Sequence, residues 1–468
     1  AYEIMPSLVG SEMCIRDSLI KDAAYVITMD EKRRIISGGS ILIENDQIAA
    51  VGKTIDVSQV DVNKVIEAKD MVVTPGFING HCHISYAHAT RGIFPDDLGD
   101  DYLVNVFRLQ DSMTSDEELW TSLLAITELL SYGTTTIMDP GSTKNVDVCL
   151  DAYEKSGIRM ITGIQLTDTG NPYRMTVYSH DEALRVTESF ISQYNGALDG
   201  RLYAWAMPFS PEYVAGELLG ELKILSDQFN VGCTLHVNKA GRSMSDDINE
   251  PPIIALERYG FAGSNVTLAH CVGLSDEEIN SLGSTNTAVI TCPTNVVKNG
   301  GGYGQNFPLT ELIKAKVRVG IGTDAGNNSN LLETNRAMYL AAVLIKDATG
   351  DPAQIPAEKA LELATIDGAK ALGLESQIGS LEVGKKADIV MYDTLRPEWQ
   401  TLFNPVNSLV YNADGRSVKT VLVDGRVLIE NYVPSFVDTE QLIRKVQSVG
   451  SNMMSRNNVS FPPKWPVV

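Results

Sequence analysis

From about Val73 to Gly373 the chain alternates short apolar runs with amphipathic stretches, and this alternation constrains the fold more than any other feature. The runs that read as strands are Met71–Thr74, Thr134–Met138, Arg159–Ile164, Leu202–Met207, Gly232–His236, Val266–His270, Ala288–Thr291 and Arg318–Gly322. Helical patterns lie between them, such as Asp116–Leu130 and Ser275–Leu282, with Ser275 as N-cap before three acidic residues. Eight βα units over roughly 300 residues predict an α/β fold, a (β/α)8 TIM barrel. A doubly wound sheet would alternate as well, but the GxGxxG phosphate loop expected after its first strand is missing.

Both ends of the chain have a different texture. Ala24–Met29, Ser40–Glu44 and Gln47–Val51 read as strands, with a turn at Asn45-Asp46. Near the other end, Asp388–Tyr392 and Val418–Val423 are followed by Asp424-Gly425, a hairpin turn into Arg426–Ile429. We therefore expect residues 19–73 and 377–436 to form one composite β-sandwich domain beside a barrel of residues 74–376. Residues 437–468 read as a helix, Asp438–Ser455, and a Pro-rich surface strap. Residues 1–18 carry neither strand nor helix periodicity, and Ser7–Ser18 looks like translated adapter sequence. They are expected to be a non-native leader, in which Cys14 has no meaning.

Charge and cysteine usage narrow the function classes. The formal net charge is -21, which argues against nucleic acid or an anionic membrane surface as partner, because phosphates call for clustered Lys and Arg. No apolar run approaches the ~20 residues that span a bilayer. The six cysteines are scattered without a CxxC pair, so neither a disulfide framework nor a thiolate zinc site is indicated, and a cytoplasmic setting is the simplest. We expect a small-molecule substrate and a homodimer.

Catalytic groups of a barrel project from the C-terminal ends of its strands. His81-Cys82-His83 follows the first strand through Pro75-Gly76-Phe77, and residues i and i+2 of an extended segment share a face. His236 ends the fifth strand, His270 the sixth and Asp324 the eighth. Singly, each could be a core histidine or a helix-capping aspartate; together they point to a metal site. Imidazole and carboxylate suit zinc, with iron or manganese as alternatives, and leave a position open for water. The ion would make hydroxide available near neutral pH, and Asp324 would take the water's proton and pass it to the leaving group. His270 is either a ligand or an orienting group beside the ion.

The segments PGFINGHCH, LHVN, LAHC, GIGTDAGN, ATIDGAKALG and GSLEVGKKADIVMYD resemble the amidohydrolase superfamily, from about Leu19 to Tyr432. The nearest likeness is to the mononuclear branch of cytosine and S-adenosylhomocysteine deaminases and triazine hydrolases such as atrazine chlorohydrolase. This resemblance implies the barrel, the β-sandwich and one divalent metal on His81, His83, His236 and Asp324, with His270 beside it. The strand-four segment AMPFSPEY offers no lysine for a two-metal site. One position departs from the pattern. Where that branch reads HxxE, this chain reads His236-Val237-Asn238-Lys239. Lys239 cannot copy a carboxylate, but it could act as a general acid or stabilise an oxyanion. With His83–Asp97 it is reminiscent of the molinate and phenylurea hydrolases, although those are associated with an Asn in place of one histidine of the first motif.

The leading expectation is therefore hydrolysis of a non-peptide C–N bond, of amide, urea or carbamate type, by metal-activated hydroxide. The alternatives are deamination or dechlorination of a nitrogen heterocycle, with Asp246, Asp247 or Glu250 as the acid, and a metal-free scaffold. Asp324, His270 and Lys239 are the catalytic candidates. Arg91, His88 and Asn295 are candidate substrate contacts. Asp139 is a candidate for orienting a ligand or capping a helix. Tyr86, Phe94 and Tyr303 are possible walls, Gly300–Gly304 a mobile rim, and His180 has no assigned role.

Overall fold

The computed structural model describes residues 18–58, 62–99, 101–237 and 250–467. The expectations for the leader through residue 17, for Lys239, and for Asp246 and Asp247 lie outside the described residues.

The chain opens with β1 (Ser18–Ile27), β2 (Ile35–Glu44), β3 (Gln47–Gly52), β4 (Lys64–Glu67) and β5 (Met71–Pro75). Ten short strands follow: β6 (Phe77–Asn79), β7 (Thr134–Met138), β8 (Arg159–Thr162), β9 (Gln165–Leu166), β10 (Leu202–Ala204), β11 (Met207–Pro208), β12 (Cys233–Val237), β13 (Val266–His270), β14 (Ala288–Thr291) and β15 (Val319–Ile321). The chain then returns to β16 (Ile389–Asp393), β17 (Val418–Val423), β18 (Arg426–Glu430) and β19 (Val433–Pro434).

Strands from both chain ends form one nine-stranded mixed sheet in the order β19-β18-β17-β16-β5-β1-β2-β3, with β4 on β1. The turns at Asn45-Asp46 and Asp424-Gly425 fall between β2 and β3 and between β17 and β18, as their chemistry predicts. Ile20, Val26, Ile41, Ile43, Val73, Ile389 and Leu422 make an apolar cluster of this sheet's own, apart from the main core.

The middle strands are parallel and lie in arrays ordered β10-β8-β7-β6 and β12-β13-β14-β15, with β9 paired to β11. Ala206 bridges to Cys233 at one margin. At the other, Gly80 N–H donates to Ile321 O at 2.8 Å. Helices follow the strands, which is the α/β arrangement of TIM-barrel type. Ser275 caps its helix as expected, in a reciprocal capping box with Glu278. The helix Ser115–Ser131 has the same device in Thr114 and Glu117.

Three strand assignments need correction. Met71–Pro75 is not the first middle strand: it pairs with β16 and β1 in the terminal sheet, and Phe77–Asn79 pairs with β7 instead. The switch occurs at Gly76, where a Cβ would lie 1.9 Å from Thr135 Oγ1, so only glycine lets the chain pass so close. The runs Arg159–Ile164 and Leu202–Met207 are each split, into β8 and β9 and into β10 and β11. At Gly163 a Cβ would meet Trp205 O at 2.3 Å, which is where the two breaks face each other.

Candidate metal and active site

Five side chains from four distant stretches of sequence converge at the C-terminal ends of the parallel strands. His81 and His83 follow β6, His236 lies in β12, His270 ends β13 and Asp324 follows β15; all are buried. The His81 ring lies 5.1, 4.8 and 5.0 Å, centroid to centroid, from those of His83, His236 and His270. Asp324 Oδ1 is 3.3 Å from His83 Nε2 and 3.8 Å from His81 Nε2. Ligand atoms of His81, His83 and His236, and again of His81, His270 and Asp324, fall within 4.8 Å of one another.

Local structure holds these groups rigidly. Asp324 and Thr323 N–H both donate to His81 O, at 2.9 and 3.0 Å, tying the end of β15 to the histidine motif. Gly322 permits this, because a Cβ there would lie 2.7 Å from His81 O. Asp324 and His270 both take positive φ, 62° and 73°, a conformation sparsely used outside glycine and concentrated at functional sites. His236 Nδ1–H donates to Phe209 O at 2.8 Å, which fixes the tautomer and leaves Nε2 with a free lone pair.

Electrostatics prepare the set for a cation. Burial, with His83 and His270 beside it, lowers His236 to about 3. Burial and neighbouring imidazoles also push His81 well down, and burial lowers His270. Burial alone would raise Asp324, but the His83 contact and the surrounding imidazoles outweigh it and hold the carboxyl below its usual range. Neutral imidazoles and an ionised carboxylate are the forms that ligate a metal. His81 Nδ1 and Nε2 and His83 Nδ1 are buried without a hydrogen-bond partner, a cost of about 1–3 kcal/mol per group that a bound divalent ion would offset at the nitrogens it takes. The residues therefore fit such an ion.

The remaining candidates divide. Asn295 Nδ2 donates to Asp324 Oδ2, so this residue belongs at the centre. Asn328, which the sequence reading passed over, donates to the same oxygen at 3.3 Å. Its signal was available: it stands four residues after Asp324, in the turn that follows β15. Asp139 accepts from Ser142 N–H and Oγ–H, both at 2.7 Å, and from Ile84 N–H at 3.4 Å, bracing the backbone next to His83. His88 and Arg91 instead engage Glu128, at 2.9 and 2.6 Å, with their polar ends committed to that carboxylate. Glu250 pairs with Arg258 at 3.0 Å. Tyr86 packs 5.9 Å from the His83 ring. Tyr303 is a packing residue: it is buried, stacks on Phe307 and donates no wall. Within Gly300–Gly304, the last two residues begin a helical turn, Tyr303–Asn306. His180 opens the helix His180–Tyr194 and faces Glu221.

A cavity of about 480 Å³ opens at the ends of β7 and β8, lined by Phe107, Gln110, Gln165, Tyr173 and Arg174 among others. Phe107 packs 6.0 Å from Phe209, whose ring lies 5.2 Å from that of His236, so an aromatic wall connects the cavity to the histidine cluster. The five described cysteines are free and buried. Among the described residues no helix is long and apolar enough to cross a membrane.

The sequence model of the amidohydrolase family matches residues 72–428. A 5'-deoxyadenosine deaminase of Methanobrevibacter smithii is 33% identical over 92% of this chain and 96% of its own. A 5-methylthioadenosine/S-adenosylhomocysteine deaminase of Thermoanaerobacter pseudethanolicus is 29% identical over 94% and 99%. The crystal structure of a zinc-complexed atrazine chlorohydrolase of Arthrobacter aurescens superposes with a TM-score of 0.84 at 25% identity, covering 92% of this chain and all of that one.

Proposed function

This chain belongs to the amidohydrolase family and is a hydrolase of carbon–nitrogen bonds other than peptide bonds, and from that premise we propose that it deaminates the 6-aminopurine of a 5'-modified adenosine. The observation that carries the reading is the buried cluster of imidazoles around Asp324, in a chain aligned almost end to end with a deaminase of that substrate class. Deamination thus moves ahead of amide, urea or carbamate cleavage, the leading expectation from sequence. Lys239 is the one residue that still favours acyl chemistry.

His81, His83, His236 and Asp324 would hold the metal, zinc by analogy with the chlorohydrolase, with His270 beside it. When bound, the ion lowers the pKa of water and so supplies hydroxide near neutral pH. Asp324, kept ionised, accepts the proton of the attacking water and returns it to the departing amine. Water adds at the amine-bearing carbon, the C–N bond breaks and ammonia leaves. Asn295 and Asn328 hold the Asp324 carboxylate during both transfers. In this reading Lys239, despite the acyl chemistry its charge suits, gives a proton to the ring nitrogen and recovers one from the added hydroxyl as the carbonyl forms. The aromatic wall of Phe107 and Phe209 leads the rest of the substrate into the cavity, where Arg174 meets an anionic 5' substituent.

In the same reading, β6–β15 form a closed eight-unit barrel, and the terminal sheet, which takes in β5, is the composite sandwich of the two chain ends. The Gly80–Ile321 hydrogen bond and the Ala206–Cys233 bridge support closure.

The test is ammonia release by the zinc-loaded protein from 5'-deoxyadenosine, adenosine and S-adenosylhomocysteine, beside amine release from a phenylurea and a carbamate and chloride release from atrazine. Turnover of the adenosines alone is expected. Turnover of the urea or carbamate with the adenosines untouched restores the acyl reading.

A further inference from the structure

The segment after His83 is held from a direction that neither the metal cluster nor the cavity explains. The C-terminal helix, Thr439–Arg456, packs on the turn His88–Thr90: a Cβ on Gly450 would lie 2.4 Å from Ala89 O. Its end is pinned, with Arg456 on Glu117 at 2.8 Å and Asn457 O accepting from Arg108 at 2.7 Å. The tail then continues to Phe461, whose ring lies 5.5 Å from that of Phe94, and to Lys464, which reaches Asp97 at 2.9 Å.

Phe94 leads directly to the centre. It stacks edge-on against Tyr102 at 5.1 Å, and both pack on the small cluster of Tyr86, Ala87, Val106 and Ala325. That cluster touches the site twice, through Tyr86 beside His83 and through Ala325, the neighbour of Asp324. Tyr102 Oη–H donates to Asn327 at 3.3 Å, on the same loop. From the opposite side, Lys298, one turn beyond Asn295, holds Asp96 at 2.6 Å.

We propose that the C-terminal tail is a positioning strap, in which Phe461 fixes Phe94 and thereby the segment 91–99 against the Tyr86 and Ala325 cluster that adjoins His83 and Asp324. The Lys464–Asp97 pair is exposed, 74% and 68%, and an ion pair so placed contributes little, so Phe461 carries the effect. Phe461 meets no reacting atom; it acts through Phe94 on how firmly the Tyr86 and Ala325 cluster is held beside the site.

The proposal rests on the deaminase reading for its kinetic test but not for its second test. In the zinc-loaded full chain, Phe461→Ala should raise KM for 5'-deoxyadenosine roughly three- to tenfold, the worth of one aromatic pair, with kcat changed less than about twofold. Phe461→Tyr should restore KM, and Lys464→Ala should leave it unchanged. A kcat loss accompanied by a fallen Tm would mean general structural support and would overturn the proposal, as would an unchanged KM. Independently of any substrate, amide hydrogen exchange over residues 91–99 should quicken roughly three- to tenfold in Phe461→Ala and not in Lys464→Ala. Unchanged exchange rejects the strap. Should no adenosine be turned over, the deaminase reading fails alone and exchange decides the strap.

Discussion

In the proposed reaction Asp324 has two duties, as ligand and as proton carrier, and its neighbours suit both. Asn295 and Asn328 share Oδ2, while Ala325 N–H holds Oδ1 at 2.7 Å. Asp324→Asn keeps the shape and removes the base. We expect a native circular dichroism spectrum with kcat reduced about 10²–10⁴-fold, the usual worth of a positioned base. A mutant of near wild-type rate would show that another group moves the proton. Lys239→Ala tests the ring-nitrogen donor in the same way, with a kcat loss of at least about a hundredfold expected. Arg174→Ala should weaken S-adenosylhomocysteine, which carries a carboxylate, more than 5'-deoxyadenosine, which has none. Equal effects in KM would remove Arg174 from the substrate's distal end.

At the scale of the element, the His88–Thr90 turn is anchored to the helix Ser115–Ser131 by Glu128. Burial alone would raise this carboxyl, but His88 and Arg91 more than offset it and hold Glu128 down to about 2, against 4.5 in an ordinary glutamate. A depressed folded value means the stabilisation is complete above about 4.5 and is lost as the pH falls toward 2. The shift corresponds to roughly 3 kcal/mol. Glu128→Gln should therefore be less stable than wild type at pH 7 in denaturant titrations of the apoprotein, and the gap should narrow as the pH falls from about 4.5 toward 2. A gap independent of pH would contradict the assignment. This contact also marks the limit of sequence reading. The spacing of His88 and Arg91 showed that they are neighbours, but their partner lies forty residues away and carried no mark. Met71–Pro75 is apolar on both faces, so its sequence is the same whether it lies in the parallel array or in the terminal sheet; only pairing with β16 decides. The convergence of His81, His83, His236, His270 and Asp324 was legible because few side-chain types can ligate a metal and these stand at or just after strand ends. The Phe209 carbonyl that orients His236 was not, because a backbone acceptor has no residue identity.

Over the whole molecule, a buried ion cluster joins the parallel strands to the terminal sheet. Arg159 of β8 binds Asp388 through Nε and Nη2, at 3.1 and 3.0 Å, and also binds Asp424. All three are almost fully buried, and removing the guanidinium strips Asp388 of its two-point partner and leaves Asp424 to the longer Arg201 contact at 3.8 Å. Arg159→Met should cost about 3–5 kcal/mol in chemical denaturation without altering the metal content of the folded fraction. A loss below about 1 kcal/mol would mean that water replaces the arginine. Metal removal should also lower the Tm, since an ion that binds only the folded chain stabilises it by mass action. The most direct measurement of the central claim is ammonia release from 5'-deoxyadenosine by the zinc-loaded protein and by Asp324→Asn under the same conditions. The account predicts turnover by the first, abolished by a chelator and restored by zinc, and a rate at least about a hundredfold lower by the second. Zinc-loaded protein that releases no ammonia from any 5'-modified adenosine, or releases it equally with Asp324→Asn, would contradict it.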